Sequence, residues 1–363
     1  MSNRPLPSPE TRSGRAIAAV LVGLLAGCAP PRPDQAVTAP ARLADTGLYA
    51  DFASRTIQAG VLTFTPQYPL WTDGAVKRRY IALPPGLSID ASAVDDWQFP
   101  VGTKIWKQFD FGRPVETRFM ELLADGTWRY ATYLWAVDGA TAELASDGGV
   151  RDACRTRGDR HHDLPSLADC RACHEAGRSP VLGFSALQLS DDVDPLAPNG
   201  EPRRPGDVGL RALVDRGLLT GLAAEWLRQP PRIDGRSAVE RAALGYLHGN
   251  CANCHNDAGP LRRLGLRLDF PLSHRGPAPA IVTTLAVASR FERPGNRLRV
   301  AAGAPEHSVL ALRIAADDPI TQMPPFGRHL TDPVAVQLIE RWIRDDLDGD
   351  RRLETNLTNR KKP

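Results

Sequence analysis

Two copies of the pattern C-x-x-C-H constrain this chain more than any other feature of its sequence. Each copy supplies two thiols and an imidazole: Cys170, Cys173 and His174 in the first, and Cys251, Cys254 and His255 in the second. Residues i and i+3 share one face of a helical turn, so both thiols of a copy can reach the two vinyl groups of one porphyrin and form thioethers. The histidine continues the turn and can place a ring nitrogen on iron. The pattern therefore predicts two covalently attached c-type haems.

Three other uses of paired cysteines compete with haem attachment. A structural zinc site would need the two pairs to converge, although Cys170 and Cys251 are 81 positions apart, which is outside the usual zinc-ribbon spacing. A thioredoxin-like redox pair does not need a histidine directly after its second cysteine. Disulfides suit an oxidising compartment. Two complete copies, each with its histidine, favour haem over all three.

The first 28 residues are typical of an export signal. Arginines precede an apolar run at residues 16–26, which is too short to span a bilayer and has the length of a signal-peptide core. The run ends in "LLAGC", which resembles a bacterial lipoprotein signal and implies that Cys28 is acylated and anchors the protein to a membrane surface. By resemblance to the sorting rule of such lipoproteins, Ala29 in place of an aspartate implies the outer membrane of a Gram-negative bacterium. An ordinary signal peptide is the alternative.

The rest of the chain is predicted to be an α+β protein of several segments. A Pro-rich tether at 29–43 precedes a β-rich aromatic domain at 44–150, which holds five of the seven tryptophans. A first haem module at 151–235 and a second at 236–347, both mainly α, come before a polar tail at 348–363. The formal net charge of +3 gives no reason to expect nucleic-acid binding.

Local patterns predict several elements within these segments. "VETRFMELL" and "WRYATYLWAV" alternate in hydropathy around an Asp-Gly turn and indicate a hairpin, and "GTKIWKQFDF" indicates another strand. "SAVERAALGYLHGN" begins with a capping box and predicts an amphipathic helix leading into the second motif. "TDPVAVQLIERWIRDDL" predicts a closing helix with one apolar face. That face is expected to contain Val334, Leu338, Ile339 and Trp342.

This order of elements resembles a class I cytochrome c. In that family a methionine between the attachment motif and the last helix is the sixth iron ligand, and Met323 in "TQMPPFGRH" matches it by order and spacing. The thioether would raise the reduction potential relative to bis-histidine ligation; core filling is the alternative. The resemblance also implies that a proline carbonyl accepts the N–H of each iron-binding histidine. Pro260 and Pro180 are the matching positions.

The sixth position of the first haem is left open by the sequence. No methionine lies between Cys170 and Met323. The remaining possibilities are His161, His162, Met120, another side chain, or an open iron. Cys154 is interpreted as an inert thiol, with a sulfur ligand as the alternative.

Segments along most of the chain resemble a family of exported bacterial di-haem c-type cytochromes. They are "YPLWTDGAVKRRYIALPPG", "VETR" with "TYLW", "LPSLADCRACH", "GYLHGNCANCH" and "MPPFGRH". The resemblance implies a periplasmic carrier of single electrons between a donor protein, for example a dehydrogenase, and a respiratory acceptor. A di-haem peroxidase with an open first haem is one alternative. A ligand-sensing or scaffold protein that uses the β-rich domain is another.

Overall fold

The computed structural model describes residues 38–156 and 160–347. The predicted signal peptide with Cys28, residues 29–37 of the predicted tether, and the polar tail lie outside these ranges. Within them, no helix has the length and hydropathy needed to cross a membrane. The described part combines an antiparallel sheet with several helices, which confirms the α+β class.

The strands and helices are short and are joined by long loops. The strands are β1 Tyr49–Asp51, β2 Thr56–Ile57, β3 Leu62–Thr63, β4 Val76–Ala82, β5 Ile89–Asp90, β6 Lys104–Asp110, β7 Pro114–Leu122, β8 Trp128–Trp135, β9 Ala142–Leu144, β10 Val150–Arg155, β11 His161–Leu164, β12 Leu219–Thr220, β13 Ala288–Arg293 and β14 Asn296–Leu298. The α-helices are α1 Leu167–His174, α2 Leu210–Asp215, α3 Glu225–Arg228, α4 Ala238–Asn250, α5 Pro279–Thr284, α6 Val309–Ala315 and α7 Pro333–Arg341.

A six-stranded antiparallel sheet forms the centre of the predicted β-rich domain. Its strand order is β3-β4-β6-β7-β8-β9. Strands β6, β7 and β8 confirm the hairpin and the additional strand that the sequence predicts. Because side chains alternate between the faces of a strand, the sheet has two different surfaces. Trp106, Phe119 and Tyr133 pack on one surface against the N-terminal segment, whereas Ile105 and Met120 belong to the larger core on the other.

The larger core joins all three predicted segments. It contains side chains of the sheet, of the loops after α1, and of helices α4, α6 and α7. The described residues between 151 and 235 contribute only short helices and short strands, so they are less helical than the sequence analysis expects. Abundant proline and glycine explain the difference, because neither sustains a long helix.

Helices α4 and α7 form as the sequence predicts and pack together. Ser237 caps α4 by accepting from the Glu240 amide (3.0 Å), and Asp332 caps α7 by accepting from the Ala335 amide (3.2 Å). Trp342, in a π-helical turn after α7, donates its indole N–H to Glu240 Oε2 (3.1 Å). The predicted apolar face of α7 is wrong at one position.

Val334 is 53% exposed, and Ala335 is buried in its place together with Ile339 and Trp342. The predicted face began one residue too early, at the proline-bearing first turn. A valine side chain there extends into solvent, whereas the small Ala335 allows α7 to approach the core closely.

Helix α4 is held against the segment before β4 by a close backbone approach. A Cβ atom at Gly245 would lie 2.0 Å from the Tyr68 ring, which is buried. The Tyr68 hydroxyl donates to Asp194 (3.1 Å), so the ring cannot move without breaking that bond. Glycine is therefore required here by packing.

Gly245→Ala tests this contact. Glycine to alanine in a helix normally stabilises by about 1 kcal/mol, but the clash with Tyr68 should instead lower the free energy of unfolding by about 1–3 kcal/mol. Denaturant titration measures the change. Gly148→Ala, where the nearest atom is 4.0 Å away and φ is not positive, is the control and should be nearly neutral. A stabilised Gly245→Ala variant would contradict the packing.

Candidate functional site: a cavity shared by both motifs

Helix α1 carries the first motif and begins with a capping box. Ser166 Oγ accepts from the Asp169 amide (3.1 Å), and Asp169 Oδ2 accepts from the Ser166 amide (2.9 Å). The cap satisfies amides of the first turn that have no partner within the helix. Cys170, Cys173 and His174 therefore follow one another on regular helical backbone, as the sequence predicts.

The imidazole of His174 is oriented by a proline carbonyl. Its Nδ1 donates to the Pro180 oxygen (2.6 Å), so Nε2 is the nitrogen free to bind a metal. Burial lowers the pKa of His174 to about 4, so that the ring is neutral at pH 7. A neutral, oriented imidazole is what a metal requires of this ligand. The predicted role of Pro180 agrees with this hydrogen bond.

The second motif lies where α4 ends. Cys251 follows the last helical residue, and the His255 amide donates to the Cys251 carbonyl (2.9 Å), which continues the turn. Burial lowers the pKa of His255 as well. Its Nδ1 is buried without a hydrogen-bond partner among the described residues. Pro260, expected to accept from it, lines the same cavity but does not make this bond.

The two motifs meet at their second cysteines. The Cys173 and Cys254 thiols interact, which raises the pKa of Cys173 and lowers that of Cys254. The loops that follow are joined as well: Asn256 Nδ2 donates to the Ala176 carbonyl (2.9 Å). A Cβ atom at Gly259 would lie 1.9 Å from that same carbonyl. The sequence gives no indication of this convergence, because 81 positions separate the motifs.

A single cavity of about 1060 Å³ is lined by both motifs. This volume slightly exceeds the roughly 300–1,000 Å³ that is usual for sites of small ligands. All six motif residues and Met323 line it. The five described cysteines, including these four, are free thiols.

The cavity wall carries an excess of positive charge. Its described lining includes nine Lys or Arg side chains and four Asp side chains. Two haems would bring four carboxylate groups, so the charge of the wall complements them. Free thiols, neutral imidazoles and charge are thus compatible with porphyrins attached at the two motifs.

Met323 is held at the cavity by its backbone. Its amide donates to the Arg313 carbonyl (2.9 Å), and Arg328 donates to its carbonyl (3.2 Å). The segment that follows is fixed from the sheet side by the Trp71–Asp73 segment. Asp73 Oδ1 accepts from the amides of His329 (2.7 Å) and Leu330 (2.8 Å).

Trp71 extends this support to the second motif. Its indole N–H donates to the Leu330 carbonyl (2.8 Å), and its amide donates to Asn250 Oδ1 (2.7 Å), one residue before Cys251. The Trp71–Asp73 segment therefore joins the end of α4 to the Met323 segment. Neither role was predicted. In the sequence, the only indication of these roles is the segment "YPLWTDG", in which the polar Thr72 and Asp73 follow apolar residues.

The alternatives for the first sixth ligand differ in their surroundings. His162 is buried and lines the cavity. Its Nε2 lies 3.1 Å from Glu116 Oε1, and its Nδ1, 3.5 Å from Asp73 Oδ2, has no hydrogen-bond partner among the described residues. Met120 is buried on β7 and lines the cavity. His161 and Cys154 lie on β11 and β10 and are not part of the cavity lining.

The zinc alternative is not supported by the arrangement of the side chains. Across residues 38–156 and 160–347, no three His, Cys, Asp or Glu side chains group closely enough to hold a metal ion among themselves. Cys173 and Cys254 meet, but Cys170 and Cys251 do not join them.

No protein family, curated protein or solved structure matches the chain.

His162→Gln tests the buried ionic group of Asp73, His162 and Glu116. Burial alone would lower the pKa of His162, but its contacts with Asp73 and Glu116 raise it above the ordinary value. The charge contribution of His162 is therefore full below the unfolded-state pKa of about 6.5 and is lost as pH rises through the folded-state pKa. The variant should lose about 3 kcal/mol of unfolding free energy near pH 5 and less near pH 9.

Urea titration at both pH values measures this difference, with the partly exposed His161→Gln as the control. Equal losses at the two pH values would contradict a charged His162.

Proposed function

We propose that this protein is an exported di-haem c-type cytochrome that carries single electrons between a donor protein and a respiratory acceptor. The observation that carries the proposal is the opening of both C-x-x-C-H motifs onto one cavity, with free thiols and neutral imidazoles. When bound, haem would supply an iron that alternates between its ferrous and ferric states. The acylated Cys28 would keep the protein at the periplasmic face of the outer membrane.

The residues of the chain have distinct roles in this proposal. Cys170, Cys173, Cys251 and Cys254 would form the thioethers, and His174 and His255 would bind iron. The Pro180 carbonyl fixes the tautomer of His174. Met323 would provide a neutral, soft ligand at the second site, which favours the ferrous state.

Contact between the two motifs supports electron exchange within the protein. Because Cys173 and Cys254 lie against each other, groups attached to these sulfurs would be neighbours. Side chains of the larger apolar core, among them Ile105 and Met120, form part of the cavity wall. Such an arrangement suits a carrier with two closely spaced redox centres.

The same thiol contact favours one other function. Cys173 and Cys254 could form a disulfide and act in thiol–disulfide exchange, for which Cys254 has the more acidic thiol. The two functions require different covalent chemistry. Intact mass under denaturing conditions distinguishes them, because two haems add the mass of two porphyrins and a disulfide removes two hydrogens.

Haem content is the decisive measurement. The mature protein, produced with the haem-attachment machinery, should contain two covalent haems by the pyridine haemochrome assay. Cys170→Ala/Cys173→Ala and Cys251→Ala/Cys254→Ala should each leave one, and Cys154→Ala should leave both. Retention of both haems in either double variant, or no covalent haem in the parent, would overturn the proposal. Reaction with CO and peroxide would show an open iron and favour a peroxidase.

Met323→Ala should lower the potential of one haem and leave the other unchanged. Loss of the thioether removes the ligand that favours ferrous iron. Spectroelectrochemical titration measures both potentials, and the charge-transfer band of methionine-bound ferric haem should disappear. Met120→Ala is the comparison on the sheet side. Unchanged potentials in Met323→Ala would rule out its ligation.

Asp73→Ala should weaken Met323 ligation without reducing the haem content. The substitution removes the acceptor for the His329 and Leu330 amides, so the segment after Met323 loses its attachment to the sheet. Asp73→Asn keeps an acceptor oxygen and should preserve the methionine band. Asp152 has a similar positive φ (52° against 48°) but lies elsewhere, and Asp152→Ala therefore controls for backbone strain. An intact methionine band in Asp73→Ala would contradict this role.

A further inference from the structure

Three basic side chains lie side by side on the cavity face of the sheet. Arg79 on β4 is the register partner of Lys107 on β6, and Lys107 is the register partner of Arg118 on β7. All three line the cavity. Like charges directly opposite each other destabilise a sheet. We refer to Arg79, Lys107 and Arg118 as the cationic row.

The two outer members of the cationic row have carboxylate partners. Arg79, which is buried, donates through both terminal nitrogens to Glu201 (3.1 Å each). Arg118 pairs with Glu116 (2.7 Å), which also contacts His162. These two carboxylates are therefore already engaged.

Lys107, at the centre of the row, has no such partner. Among the described side chains, no carboxylate lies within ion-pair distance of its ammonium group, and its close contact is with the Phe109 ring at 4.9 Å. Burial and the neighbouring cations Arg79, Lys77 and Arg118 lower its pKa. Two residues earlier on the same strand and face, Ile105 packs in the apolar core.

Lys107 is only half-buried, because its side chain borders the cavity. Its ammonium group nevertheless lies between two further cations without a counter-charge of its own, which is unfavourable, and an apolar residue such as Ile105 would fill the space at lower cost. The cost is offset when an anion from the cavity completes the row. Lysine and arginine together offer several N–H donors, which suit the oxygens of a carboxylate or a phosphate.

We propose that the cationic row is a binding site for a carboxylate or another oxyanion within the cavity, with Lys107 as its central donor. The anion has two conceivable sources. One is a carboxylate of the porphyrin at the first motif, because Arg118 interacts electrostatically with Cys170 and Cys173, and Lys107 with His174. That source rests on the proposed function. The other is a small free oxyanion, which does not.

Lys107→Gln and Lys107→Arg in the full-length mature protein test the proposal. The first removes the charge, and the second keeps it. Lys104→Gln is the matched control, since Lys104 lies on the same strand and contacts the Thr46 carbonyl on the opposite surface. Two measurements are needed: calorimetric titration with inorganic phosphate and with acetate, and the spectrum and potential of each haem.

A free oxyanion as the source predicts that the parent protein binds phosphate or acetate. Lys107→Gln should then bind about tenfold more weakly or worse, as expected for loss of a charge-assisted hydrogen bond. Lys107→Arg and Lys104→Gln should bind as the parent does. This result would hold whether or not haem is present.

A porphyrin carboxylate as the source predicts a different result. The parent should bind neither added anion, and Lys107→Gln should lower one potential because loss of a nearby positive charge favours ferric iron. Haem content and spin state should not change, and Lys107→Arg should restore the potential.

Two results would overturn the anion site. One is unchanged anion binding together with unchanged potentials in Lys107→Gln. The other is a change of one haem from low spin to high spin in that variant, which would make the lysine amine an iron ligand. If the parent contains no haem, the proposed function fails, and the phosphate and acetate titrations alone decide whether the row binds an anion.

Discussion

The meeting of the two motif loops is the constraint on which the site depends. The Ala176 carbonyl accepts from Asn256, and Gly259 lies so close to that carbonyl that no side chain fits between them. This contact places Cys173 next to Cys254 and gives both motifs access to one cavity. Without it, the two motifs would lie in separate surroundings.

The sheet acts as the wall that holds this arrangement in place. Its outer surface is an ordinary aromatic core around Trp106, Phe119 and Tyr133. Its inner surface carries charge at positions that a simple core would fill with apolar side chains, and the loop before β4 reaches the Met323 segment through Asp73. The predicted β-rich domain is thus part of the site. The scaffold alternative assigns ligand binding to the β-rich domain. In the structure, the sheet of that domain lines the same cavity as the two motifs.

Buried ionic groups connect different parts of the cavity wall. Asp73 contacts the segment after Met323 on one side and His162 on the other, and Glu116 lies between His162 and Arg118. Breaking one member of such a group leaves the others buried without a partner, which is strongly unfavourable. The group therefore makes the position of the Met323 segment sensitive to changes on the sheet.

Local chemistry determined what the sequence could reveal by itself. The hairpin of β7 and β8, the capped helices α4 and α7, and the helical turn around Cys170 follow from alternation, caps and spacing within about ten residues. The tertiary structure decided which distant groups meet: the contact of Cys173 with Cys254, the bonds from Asp73 to the Met323 segment, and the cationic row across three strands. No local pattern encodes these contacts, because they depend on strand register and on packing between segments far apart in the chain.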